Sequence, residues 1–208
     1  KAGVFRYLRD GIKSGREWTR DQLDERVVLA GDMRLAESVV NAMSNGGQRY
    51  LHITLSFKED HVPLETLQAI TREFQHFCMS AFRLDEYTLY AEAHLPRLKS
   101  YTNKRTGKEV IRKPHIHLVL PQLNLLTHMH LNPLGWVKYQ ERYLEAFQEY
   151  INNRYGLASP KDNRRIAFTD ESTLLSRQKG DDFQGIGGDL KRQLLDAMLE
   201  RVIEDFDS

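Results

Sequence analysis

The segment Pro114–Pro121, PHIHLVLP, constrains the fold more than any other stretch of this chain. Two prolines bracket six residues in which Ile116, Leu118 and Leu120 alternate with His115, His117 and Val119. Successive side chains of a strand point to opposite faces, so Lys113–Pro121 reads as a strand with one apolar side and one side carrying both imidazoles. Arg49–Phe57 has the same period: Leu51, Ile53, Leu55 and Phe57 alternate with Tyr50, His52, Thr54 and Ser56. Glu86–His94 reads as a third strand. The segment between it and Pro114 contains Asn103–Gly107 and reads as an extended hairpin connection.

Helical periodicity fills the rest. Ala2–Asp10 reads as a short helix with Val4, Phe5 and Leu8 on one side, and Gly11–Arg20 as a loop. Asp21–Ala30 and Met33–Met43 also read as helices, the second stopped by Asn45-Gly46-Gly47. Pro63 opens a long helix to Phe82 whose stripe is Leu64, Leu67, Ile70, Phe74, Phe77 and Cys78. Asn132-Pro133 precedes another that runs to Tyr155, buries Leu144, Phe147 and Ile151, and stops at Gly156. The expected fold is α+β, a central antiparallel β-sheet flanked by α-helices. At 208 residues the chain has a one-domain length, with a domain over 1–158 and an extension over 159–208. That extension holds a glycine-rich stretch, Gln184–Gly188, and an acidic amphipathic helix, Leu190–Phe206.

Composition matters at three points. The single cysteine, Cys78, excludes an intramolecular disulfide and a four-cysteine zinc site, and its place on the helix stripe makes it a core residue. No run of about 18 apolar residues exists, so no membrane span is expected. The formal net charge of +1 averages a +6 segment, Arg97–Lys113, against a −5 segment, Asp181–Ser208. Local charge governs attraction of a polyanion. The chain begins at Lys1 without a methionine and reads as a fragment with no visible signal peptide.

The histidines carry the chemistry. His115 and His117 share a strand face, where two close imidazoles suit a divalent metal. A hairpin would bring His94 beside them, giving three nitrogens from two adjacent strands with positions open for water or substrate. Glu92, two residues before His94, shares its face and reads as a carboxylate that orients an imidazole rather than as a ligand. His128-Met129-His130 reads as loop, and His61 and His76 as surface residues. His52-Ile53-Thr54 has the His-x-Thr form of the 2H phosphoesterases. A second copy would have to be His115-Ile116-His117, which lacks the hydroxyl residue.

Taken in order, these motifs resemble the conjugative relaxases of the HUH endonuclease superfamily, especially the plasmid mobilisation type. Gly3-Val4-Phe5-Arg6-Tyr7-Leu8 is similar to their tyrosine segment, and Leu51–Phe57 followed by the Pro63–Phe82 helix to their central strand and helix. Ala91-Glu92-Ala93-His94 stands where the first metal histidine falls, and Pro114–Leu120 resembles the His-hydrophobic-His strand. The resemblance spans roughly residues 3–157. Two features depart from it: the family opens with a strand ahead of the tyrosine, and its first histidine lies closer to the His-x-His than the 21 positions between His94 and His115. If the intervening hairpin did not return His94, the third ligand would fall to His52, His128 or Glu92.

The resemblance implies nicking and rejoining of one strand of DNA at a plasmid or integrative-element transfer origin. Tyr7 would be the nucleophile, forming a 5′-phosphotyrosine bond. His94, His115 and His117 would hold a divalent metal, Mg²⁺ or Mn²⁺, that polarises the scissile phosphate. Glu92 and Asp32 are the candidate bases. Arg49, Lys99, Lys104, Arg105, Lys108, Arg112 and Lys113 would meet phosphates, Tyr101 would stack on a base, and Ser56 would line the same groove. Implied partners are single-stranded DNA, relaxosome accessory proteins and a type IV secretion coupling protein, in the bacterial cytoplasm and away from membranes. Three alternatives compete. One places the nucleophile among Tyr139, Tyr143, Tyr150 and Tyr155, as in HUH replication initiators and transposases. The second is a 2H-like phosphodiesterase using His52 and His115. The third is a single-strand-binding module without catalysis.

Overall fold

A computed structural model describes residues 3–11, 18–44, 47–103, 107 and 109–162. The chain divides into two compact units, Lys1–Ser159 and Pro160–Ser208. In the second unit only the 3-10 turn Pro160–Asp162 is described, so the glycine-rich stretch and the acidic helix lie outside the described residues.

The first unit is α+β. Its sheet has four strands: β1 (Asp24–Ala30), β2 (Tyr50–Ser56), β3 (Tyr90–Pro96) and β6 (His115–Pro121), in the order β1-β3-β6-β2, every pair antiparallel. The intervening β4 (Ser100–Thr102) and β5 (Glu109–Ile111) pair with each other as a separate hairpin. This excursion leaves β3 and β6 free to pair, which puts His94 opposite His115 and Glu92 opposite His117.

The two faces of the sheet pack differently. On one, Ala91, Ala93, Ile116, Leu118 and Leu120 meet Leu67, Ile70, Phe74 and Cys78 of helix α4 (Leu64–Met79), with Phe147 and Ile151 of α5 (Val137–Tyr155) completing the core. Cys78 is buried there and its thiol is pushed up to about 12 by burial, so it stays protonated. Gly156 ends α5 in the left-handed conformation, at φ 62°. The other face holds a smaller cluster. Val4, Phe5 and Leu8 of α1 (Gly3–Asp10) and Ala36 and Val40 of α3 (Met33–Ala42) pack on Tyr90 and Val119. This cluster covers only the Tyr90/Val119 end of that face, and beyond it the same face carries Glu92, His94, His115 and His117.

Asp21–Ala30 departs from the helix expected of it. Leu23, Val27 and Ala30 fit a helical stripe, but Val27 and Leu29 alternate with Arg26 and Val28 as well, and the pairing with β3 decides for the strand. Only Arg20–Leu23 is helical (α2). It is launched by a capping box: Thr19 accepts from the Gln22 backbone N–H, and the Gln22 side chain accepts from Thr19 N–H at 2.8 Å.

Candidate metal centre

Three strands supply the site. His94 from β3 and His115 and His117 from β6 place a ligand atom each within 4.8 Å of one another. Their ring centroids are separated by 5.0 Å (His94–His115), 4.6 Å (His94–His117) and 4.9 Å (His115–His117). His94 and His117 are buried and His115 is half-buried. Strand β2, beyond β6, adds His52 and Thr54, whose Nε2 and Oγ1 lie 3.0 and 3.2 Å from His117 Nδ1.

Hydrogen-bond partners assign the tautomers. His115 Nδ1 donates to the Lys113 carbonyl at 3.0 Å, leaving Nε2 as an acceptor. His94 Nε2 lies 2.6 Å from Glu92 Oε1 and donates to it. Tyr90 donates to the other Glu92 oxygen at 2.6 Å. Burial works to raise the Glu92 pKa, but the bonds from His94 and Tyr90 outweigh it and hold the carboxyl below its ordinary range. Such a carboxylate can fix an imidazole's orientation and raise its basicity.

His117 is the most telling of the three. Its Nδ1 is met from β2, but its Nε2 is buried without a hydrogen-bond partner. Burial first, then the charges of His94, His115, His52 and Arg20, push its pKa down to about 2. Burial also lowers His115, only partly offset by its bond to Lys113. The result is a neutral imidazole whose orphaned Nε2 belongs to a ring clustered with those of His94 and His115. That donor set fits a divalent cation.

The tyrosine segment lies on the same face. The Tyr7 ring meets His117 edge-on at 6.0 Å between centroids, and the Arg20 guanidinium lies 4.6 Å from the Tyr7 ring centre. Arg20 Nη1 donates to Asp24 at 2.9 Å and lies 3.3 Å from His94 Nδ1. Asp24 is buried and receives Arg112 Nη2 on both oxygens, at 2.7 and 2.8 Å. Burial favours its protonation, but Arg112 and then Arg20 hold it ionised below the usual carboxylate range.

Arg112 is therefore not available to DNA, contrary to expectation. It is buried, and its Nη1 donates to the Leu23 carbonyl at 2.6 Å. Asp32 is engaged at the start of a helix. It caps α3, accepting from the N–H groups of Arg34 and Leu35 at 2.7 and 3.1 Å. Lys99 and Lys113 both reach Asp60, through its carbonyl at 3.1 Å and its carboxylate at 2.6 Å. Tyr101 is half-buried on β4, Ser56 pairs with His115 in the strand register, and Lys104, Arg105 and Lys108 lie outside the described residues. Arg49 precedes the far end of β2, about 17 Å of strand from Thr54 beside His117.

Tyr139, Tyr143 and Tyr150 are exposed on α5, which packs on the opposite sheet face, and Tyr155 bonds Glu73. Among the described residues no helix is long and apolar enough to cross a membrane. Arg20 and Asp24 escaped sequence reading because each matters only through partners at 7, 94 and 112. The capping box Thr19-x-x-Gln22 was the one local signal that this stretch is ordered. No family model, curated protein or solved structure matches the chain.

Proposed function

We propose that this chain is a metal-dependent phosphodiester transferase of the HUH type, acting on single-stranded DNA through a tyrosine. Within that class we read it as a relaxase, which nicks and rejoins one strand at a plasmid or integrative-element transfer origin. The observation that carries the reading is Tyr7 set edge-on to His117 at 6.0 Å, beside three histidines whose ligand atoms fall within 4.8 Å. The motif order resembling relaxases supports it.

His94, His115 and His117 would hold the metal, with Glu92 fixing His94. Imidazole nitrogen ranks Mn²⁺ above Mg²⁺ as occupant. When bound, a divalent cation supplies Lewis-acid polarisation of a phosphoryl oxygen. The chain's own residues do the rest. Tyr7 Oη forms a bond to phosphorus as the bond to the 3′ oxygen breaks. The 3′ oxygen leaves with the electron pair and takes up a proton, and the phenol gives one up. The Arg20 guanidinium, 4.6 Å from the Tyr7 ring centre, sets a positive charge beside the nucleophile. Glu92 is committed to Tyr90 and His94, so its part is to orient rather than to take the phenolic proton. The partners follow from the same reading: single-stranded DNA, relaxosome accessory proteins and a type IV secretion coupling protein, in a bacterial cytoplasm.

The test is to incubate the chain with random-sequence single-stranded oligonucleotides and Mn²⁺, resolve covalent adducts on a denaturing gel, and map the linked residue by mass spectrometry. The expected adduct is on Tyr7, absent in Tyr7→Phe and with EDTA. An adduct on Tyr139, Tyr143, Tyr150 or Tyr155 would favour an initiator or transposase instead. Metal-independent cleavage without an adduct would favour a 2H-like enzyme, and binding alone a non-catalytic module.

A further inference from the structure

Arg20 is 2% exposed, yet two of its three nitrogens are buried with no hydrogen-bond partner. Nη1 donates to Asp24 and lies 3.3 Å from His94 Nδ1, while Nε and Nη2 are buried without a hydrogen-bond partner. A guanidinium carries five N–H donors, and a buried donor left unmet is costly. Nor does Asp24 need Arg20, because Arg112 already covers both of its oxygens. Burial opposes the Arg20 charge, but the bond and charge of Tyr7, and then those of Asp24, hold its pKa up. The unspent donors belong to a guanidinium whose central carbon lies 4.6 Å from the Tyr7 ring centre.

The backbone is shaped to keep it there. Gly11 closes α1, its N–H bonded to the Tyr7 carbonyl at 2.9 Å, with φ at +65°. A Cβ at Gly11 would fall 2.4 Å from Arg20 Cβ and 2.9 Å from its backbone. Only glycine lets the end of the tyrosine helix lie against Arg20.

We propose that Arg20 is a catalytic residue that binds the transferring phosphoryl group, Nε and Nη2 donating to its non-bridging oxygens as Tyr7 Oη bonds to phosphorus. The planar two-donor edge of a guanidinium matches two oxygens of one phosphate. Charge in phosphoryl transfer is spread over those oxygens, and fixed donors aimed at them lower the barrier. The inference rests on the strand-transfer reading and adds a second, metal-independent phosphate contact to it.

The experiment uses the full chain, Mn²⁺ and an oligonucleotide recovered from the adduct assay, with and without a methylphosphonate at the scissile position. Arg20→Ala should slow adduct formation by about 100-fold or more. Added guanidinium should restore part of that rate, and Arg20→Lys should remain well below the unaltered chain. With the methylphosphonate, the penalty of Arg20→Ala should shrink, because one of the oxygens it serves is gone. Mn²⁺ binding by electron paramagnetic resonance, read in the same variants, should persist. Adduct formation by Arg20→Ala within threefold of the unaltered chain would overturn the inference alone. A loss that guanidinium does not rescue, and that is equal on both oligonucleotides, would also overturn it. No adduct from the unaltered chain with Mn²⁺ or Mg²⁺ would overturn the strand-transfer reading itself.

Discussion

The two faces of the β3–β6 strand pair are made from alternate residues of the same seven-residue strands, yet they are held by opposite means. On one face Ala91, Ala93, Ile116 and Leu118 are fully buried against α4, and no polar side chain interrupts them. On the other, Glu92, His94 and His117 are almost as buried, but every one is held through a hydrogen bond or a ring contact. The apolar face is stable by area removed from water. The histidine face is organised by partners, and it leaves His117 Nε2, Arg20 Nε and Arg20 Nη2 unmet. Orphaned polar atoms are rare in protein interiors, and two residues in contact with the histidine cluster or part of it carry three of them.

The sharpest way to break the comparison is on the apolar face. Leu118→Ala removes a fully buried side chain packed against Ala91 and Ile53, and should lower unfolding free energy by about 2–5 kcal/mol in urea titrations while Mn²⁺ binding to the folded fraction persists. A loss of metal affinity without a loss of stability would mean that the faces are not separable.

The counterpart on the other face is Glu92→Gln. It keeps the shape but removes the charge that orients His94, so Mn²⁺ affinity by isothermal titration should fall about 10–100-fold. Thermal stability without metal should move much less than in Leu118→Ala.

Acidification gives the smallest and most graded effect. His117 is neutral when folded, with its pKa at about 2, whereas an unfolded chain would protonate it below about 6.5. Between those values the unfolded state binds more protons, so stability falls as pH falls from about 6.5. Its contribution is at most about 1.4 kcal/mol per pH unit. His115, also lowered, adds in the same direction. Saturating Mn²⁺ should reduce the slope, and a stability independent of pH between 7 and 5 would contradict the buried neutral imidazoles.

Much of this was legible in the order of residues. Alternation in Leu51–Phe57 and His115–Leu120 marks strands and assigns their faces, because a strand's period of two leaves no other option. The histidine trio follows once the Asn103–Gly107 connection is taken as a hairpin excursion. Asp24–Ala30 was not legible. Its residues satisfy a helical stripe and a strand alternation alike, and only the exposed edge of β3 chooses between them.

The sequence by itself determined which residue types face together within each strand, and hence that two imidazoles share a side from which Ile116 and Leu118 are turned away. The tertiary structure alone decided what stands across from them. Arg112, expected on the DNA by its charge, is drawn inward because Asp24 would otherwise be a buried carboxylate with one partner. Tyr7 comes to His117, and Arg20 to Tyr7, through register and through the close approach at Gly11. Contacts of this kind join residues dozens of positions apart, and no local period encodes them.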